Sequence, residues 1–173
     1  QQPSPNSDAR PAGQAIDLLV IHSISLPPGE FGGSSIDDLF TNQLDPNKHE
    51  YFQSIHELRV SSHLLIRRDG EVVQYVPFER RAWHAGESCF AGQDCCNDFS
   101  VVIVLEGPDD IPYPAEQYEQ LSDITACLLQ TYPTMTTERV VGHCDIAAGR
   151  KTDPGEAFDW KRLHALLLVH GIS

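Results

Sequence analysis

Ser100-Val101-Val102-Ile103-Val104-Leu105 is the stretch whose reading decides the fold. It is continuous, apolar and rich in branched residues, so it predicts a central strand buried on both faces. Downstream, Pro114 to Thr131 carries Tyr118, Leu121, Ile124 or Thr125, and Leu128 at helical spacing. That predicts an amphipathic helix, stopped by Pro133. Upstream, Ile16 to Ile21 predicts a second short buried strand, with His22 at its C-terminal end. Ser62 to Arg67 and Glu71 to Val76 flank Arg68-Asp69-Gly70, a hairpin turn signal. Short helices are expected from Ser34 or Ser35 through Phe40 and over Tyr51 to Leu58. Val140-Val141 ends another strand, and Phe158 to Val169 predicts a last helix. This order predicts an α/β fold: a single domain, its central mixed β-sheet flanked by helices. Residues 1–15 read as an irregular lead-in and residues 16–173 as the domain.

Composition narrows the function. A chain of 173 residues is most simply one domain. A net charge of −13 argues against a nucleic-acid or anionic-membrane partner. The basic pairs Arg67-Arg68, Arg80-Arg81 and Arg150-Lys151 read either as holders of a small acidic ligand or as solvated charges. The five cysteines are odd in number and form no C-x-x-C motif, which argues for a reducing compartment. No apolar run is long enough to cross a membrane. Gln1 to Gly13 lacks the basic and apolar parts of a signal peptide. The expectation is a cytoplasmic monomer.

Chemistry concentrates in Gly142 to Gly155 (GHCDIAAGRKTDPG), between the last strand and the last helix. It predicts a long structured loop rich in metal-type and catalytic-type groups. His22 offers it a partner. Two imidazoles and a carboxylate, His22, His143 and Asp153, make an open zinc shell with room for a water. Cys144 is the rival ligand. In an extended chain its side chain points away from that of His143.

With these residues in view, the chain resembles the cytoplasmic AmpD-type N-acetylmuramoyl-L-alanine amidases, zinc enzymes of the peptidoglycan-recognition and phage-lysozyme amidase fold. The matching runs are HSISLPPGEFGG from His22, LRVSSHLLIRRDGEVVQYVPF from Leu58, RAWHAG from Arg81, CNDFS from Cys96, and GHCDIAAGRKTDPGEAFDW from Gly142. The resemblance implies zinc on His22, His143 and Asp153, with Lys151 stabilising an oxyanion. It implies a soluble anhydro-muropeptide substrate from recycled cell wall, cut between the lactyl group of anhydro-muramic acid and L-alanine. It implies substrate-binding roles for Arg59, Trp83 and His84.

The family strand typically reads FS-I-G-I-E-L-E-G, its first glutamate being the general base. Here Val104 stands at that position and Val102 replaces the glycine. Alternation puts residues 102, 104 and 106 on one face. Glu106 is the candidate substitute, roughly 6.6 Å further along. Ser23 stands where the family often has Asn, and Cys95 where it often has Arg. Two hypotheses follow: an active zinc amidase, and a zinc-holding peptidoglycan-fragment binder or inactive variant with little turnover. A secreted lytic amidase is a third, opposed by the cysteine pattern and the missing signal.

Overall fold

A computed structural model describes residues 1–172 of the chain. The strands are β1 (Ser7–Ala9), β2 (Leu18–Ile24), β3 (Leu64–Ile66), β4 (Val72–Gln74), β5 (Arg80–Ala82), β6 (Cys89–Phe90), β7 (Gln93–Asp94), β8 (Ser100–Glu106) and β9 (Val140–Gly142). The α-helices are α1 (Ser35–Phe40), α2 (Phe52–Ile55), α3 (Ala115–Thr131), α4 (His143–Ile146) and α5 (Trp160–Val169). The main sheet has the order β4-β3-β8-β2-β9, so β8 is its central strand, as its composition predicts. β2 runs parallel to both β8 and β9, and β3 parallel to β8. β4 closes the predicted hairpin antiparallel to β3. This is the expected mixed sheet flanked by helices.

Alternation along the strands gives the sheet two faces. Leu19, Ile21, Val101, Ile103 and Leu105 pack with Leu121 and Leu128 of α3 and Leu163 and Leu167 of α5. Fully burying each such side chain contributes roughly 1.5–3 kcal/mol. The other face carries Val102, Val104 and Leu65, packed with Leu39 and Phe40 of α1 and with Phe52. Nearer β9 it carries Val20, which packs with Phe99, Ile146 and Ala147.

The structure differs from the local reading in several places. Residues 1–15 are not irregular throughout: β1 pairs antiparallel with β5, Ser7 opposite Ala82 and Ala9 opposite Arg80. Arg10 donates to the carbonyls of Phe78, Asn97, Asp98 and Ser100, tying the segment to the sheet. The driving contacts lie far apart in sequence, where local periodicity carries no signal. Two basic pairs are partnered internally rather than offered to a ligand. Arg67 meets Asp37 at 2.6 Å and Glu71 at 3.1 Å, and Arg81 is held by Asp8 and Asp98. The expected helix over Tyr51 to Leu58 shrinks to Phe52–Ile55. His22 sits inside β2, which continues to Ile24. Ser173, the end of the expected domain, lies outside the described residues. All five cysteines are free. Among the described residues no helix is long and apolar enough to cross a membrane.

Candidate functional site

Parallel pairing brings the candidate ligands together. Ile21 of β2 stands opposite Gly142 of β9, so His22 and His143 follow side by side. His143 begins α4, where the chain turns out of the sheet. The segment after β9 is thus partly helical rather than loop throughout. The rings of His22 and His143 stack with centroids 3.8 Å apart and planes at 24°. Both turn Nδ1 toward Asp153. His143 Nδ1 lies 2.9 Å from Oδ1 and His22 Nδ1 3.5 Å from Oδ2. Ligand atoms of the three residues all lie within 4.8 Å of one another.

The returning loop is held close. The Ser23 backbone N–H donates to Asp153 Oδ2 at 3.2 Å, and the Cys144 N–H donates to the Asp153 carbonyl at 3.0 Å. Tyr113 donates to the Pro154 carbonyl at 3.0 Å. A Cβ at Gly142 would stand 2.9 Å from Pro154 Cδ, so glycine is what lets the strand pass the loop. Burial, then the neighbouring His143, pushes the pKa of His22 well below the ordinary value. The ring therefore stays neutral, the form that binds metals. Two imidazoles and a carboxylate, converging from three separate segments, fit a zinc ion with one open position. Cys144 is not in this cluster.

The three residues line a cavity of ≈470 Å³. Lys151, Asp109 and Val104 also line it, as do the apolar side chains of Leu39, Tyr51, Ile55 and Leu58. Val104 is opposite His22 in register and faces the same cavity, so the strand presents an isopropyl group beside the cluster of His22, His143 and Asp153.

Glu106, the candidate substitute base, is turned to other work. It is 2% exposed, and its carboxylate accepts from the Gly32 N–H at 2.6 Å and the Arg68 N–H at 3.2 Å. It fastens two loops to the end of β8 and does not line the cavity. Arg59 is exposed and bends back to the Glu57 carbonyl at 3.0 Å. The Trp83 side chain helps to lower the pKa of Asp8 on the N-terminal strand, after Arg81 as the main cause. Neither is among the residues lining the cavity. His84 does line it, but its Nδ1 lies 3.0 Å from His22 Nε2. Asp109 went unnoticed in the sequence. Its carboxylate accepts from the hydroxyls of Ser23, at 3.3 Å, and of Thr152, and a Cβ at Gly155 would come within 2.3 Å of it. Its place just past the C-terminal end of the central strand was the signal, because ligands gather there in open α/β sheets.

The pattern of the N-acetylmuramoyl-L-alanine amidase family matches residues 12–156. The 1,6-anhydro-N-acetylmuramyl-L-alanine amidase AmpD of Citrobacter freundii is 57% identical over 165 residues, covering 95% of this chain and 88% of the relative. A crystal structure of a selenomethionine AmpD derivative superposes with a TM-score of 0.92 at 57% identity, covering 95% of this chain and 92% of that one. AmpDh3 from Pseudomonas aeruginosa, in complex with anhydromuramic pentapeptide, gives a TM-score of 0.69 at 29% identity, covering 96% of this chain and 64% of that one. The chain belongs to the N-acetylmuramoyl-L-alanine amidase family.

Proposed function

We propose that this amidase is a zinc enzyme of cell-wall recycling. It hydrolyses the amide between the lactyl group of 1,6-anhydro-N-acetylmuramic acid and L-alanine in soluble muropeptides. The observation that carries this reading is the convergence of His22, His143 and Asp153 within 4.8 Å on the wall of the cavity. Its AmpD relatives are named for that anhydro-muramyl substrate.

Zinc bound by His22, His143 and Asp153 would supply a Lewis acid and bring the pKa of a bound water to about 7. Lys151 lies two residues before Asp153 and lines the same cavity. Its ammonium would stabilise charge developing on the carbonyl oxygen of the scissile amide. Tyr51, Ile55 and Leu58 offer a non-polar surface of the same cavity for a sugar ring. Val104 cannot accept a proton. Turnover should accordingly fall below that of a relative with a carboxylate at this position, by about 10²–10⁴-fold. Free thiols support a reducing, cytoplasmic setting, and the charge of −13 supports a protein without nucleic-acid or membrane partners. We assign it as a monomer whose one amidase domain includes β1.

The test is hydrolysis of a purified soluble anhydro-muropeptide, with bound metal measured by elemental analysis. One zinc per chain and release of a stem peptide headed by L-alanine are expected. Undiminished hydrolysis after complete chelation would overturn the zinc reading, and cleavage at another bond would overturn the substrate.

A further inference from the structure

We propose that His84 is a positioning residue for His22, and that Ser100 sets the orientation of its ring protons. This inference rests on the zinc reading above. His84 is set edge-on to His22, with ring centroids 5.0 Å apart and planes at 74°. That geometry aims one ring nitrogen at the other: His84 Nδ1 to His22 Nε2 is 3.0 Å. The far side of the ring is equally engaged, with His84 Nε2 lying 2.8 Å from Ser100 Oγ. Ser100 is fully buried at the start of β8, and its carbonyl accepts from Arg10 at 2.7 Å. The backbone of the histidine is pinned too. Asn97 Oδ1 accepts from the N–H groups of His84 at 3.1 Å and Ala85 at 2.9 Å. With both ring nitrogens committed, His84 has none to give a substrate, although its ring borders the cavity.

The relay Ser100–His84–His22 has two proton arrangements. In one, Ser100 donates to His84 Nε2, His84 Nδ1–H donates to His22 Nε2, and His22 carries its proton on Nδ1. In the other, His22 Nε2–H donates to His84 Nδ1, and His84 Nε2–H donates to Ser100 Oγ. Both keep the rings neutral and hold the same number of protons; passing from the first to the second gives up the proton on His22 Nδ1 and returns one to Ser100 Oγ by exchange with solvent. Only the second leaves a lone pair on His22 Nδ1, the atom facing Asp153. Binding of a cation at that atom therefore selects it. The hydrogen bond at the ring's other nitrogen then fixes both tautomer and orientation, as groups behind metal-binding histidines do. His143 has no such support: its Nε2 is buried and without a partner among the described residues. The two histidines thus meet the same carboxylate but are held differently.

The test compares zinc dissociation constants, measured by chelator competition, for the full chain and four variants. His84→Ala should weaken zinc by about 10–100-fold. The amide variants separate positioning from packing. Asn places its oxygen near the site of Nδ1 and can accept from His22, whereas Gln reaches toward Ser100 instead. His84→Asn should therefore retain most of the affinity and His84→Gln should lose it like Ala. Ser100→Ala should weaken zinc by a smaller factor. In the zinc-loaded protein, nitrogen-15 spectra should show His84 protonated at Nε2 and bare at Nδ1. Equal affinities for the Asn and Gln variants, or the opposite tautomer, would overturn this inference alone. Failure of the unaltered chain to bind zinc would overturn the zinc reading and this inference with it.

Discussion

The two faces of the sheet are built from the same strands and do opposite work. On the α3 and α5 side, Leu19, Ile21, Ile103 and Leu105 meet Leu121 and Leu163 in an apolar cluster. On the other side, the alternate positions of β2 and β8 present His22, Val104 and Glu106. The first face could exchange one branched residue for another of like volume at modest cost. On the second, each side chain has its own partner: His84 for His22, two backbone amides for Glu106, and the open cavity for Val104. Apolar burial dominates the first face, with Gln117 of α3 donating to the Ile66 and Glu106 carbonyls at 2.9 and 3.1 Å, whereas specific polar partners dominate the second.

Breaking the proposed zinc set of His22, His143 and Asp153 should have the largest effect. His143→Ala and Asp153→Ala should leave the protein without bound zinc by elemental analysis. Lys151→Ala should keep its zinc and lose turnover, because a lysine cation is a poor ligand. Cys144→Ser should leave occupancy unchanged. Loss of metal from Lys151→Ala as complete as from Asp153→Ala would merge the two roles separated here.

Next in size is the carboxylate missing from β8. Val104→Glu should raise kcat, and Val102→Gly added to it should raise kcat further, recovering part of about 10²–10⁴-fold. Substrate affinity should change little. An unaltered chain that already turns over as fast as the double variant would show that Val104 is no defect.

A substitution on the opposite face sharpens the contrast. Leu163 is fully buried against the sheet. Leu163→Ala should cost about 2–5 kcal/mol of stability in denaturant unfolding. Zinc affinity in the folded fraction should stay as it was. A coupled loss would mean that the two faces are not independent.

His63 gives the pH dependence. Burial is the main cause lowering its pKa from 6.5 to about 4. Its ring is satisfied when neutral: Nδ1 accepts from the Val102 N–H at 3.0 Å, and Nε2 lies 2.9 Å from the Arg80 carbonyl. The unfolded chain takes up the proton first, near 6.5, so this contribution is complete above that pH and is lost as pH falls toward 4. The metal-free protein should lose about 3 kcal/mol over that window through His63. The difference in stability between the unaltered protein and His63→Gln should shrink by that amount on acidification, and a pH-independent difference would contradict the assignment. The smallest expected change is in Glu106→Gln, about 1–3 kcal/mol of stability from a weakened tie to Gly32 and Arg68. Its residual turnover should keep the same pH profile. A profile that changed would restore Glu106 as a proton acceptor.

Several of these residues were legible in the sequence and several were not. Ser100 to Leu105 declared the central strand because an unbroken branched apolar run suits burial on both faces. Tyr118, Leu121 and Leu128 declared α3 because the helical period is local. His22, His143 and Asp153 were legible as a set because few combinations of side chains make an open zinc shell, and resemblance to a family supplied the pairing. Glu106 looked like a substitute base because alternation places it on the correct face. Alternation does not reveal which amide groups will occupy a carboxylate. His84 and Trp83 looked alike as pocket residues, yet one turns to His22 and the other to Asp8.

Local chemistry in this chain thus determined the α/β class, the central strand, the main helices and the ligand types. Those depend on periodicity and composition within a dozen residues or so. The tertiary structure alone decided that β1 joins β5, that Glu106 fastens loops, that Asp109 ties the ends of two segments, and that Ser100 and His84 stand behind His22. Each of these rests on hydrogen bonds between atoms far apart in the chain. Nothing in the nearby sequence encodes which distant donor will arrive.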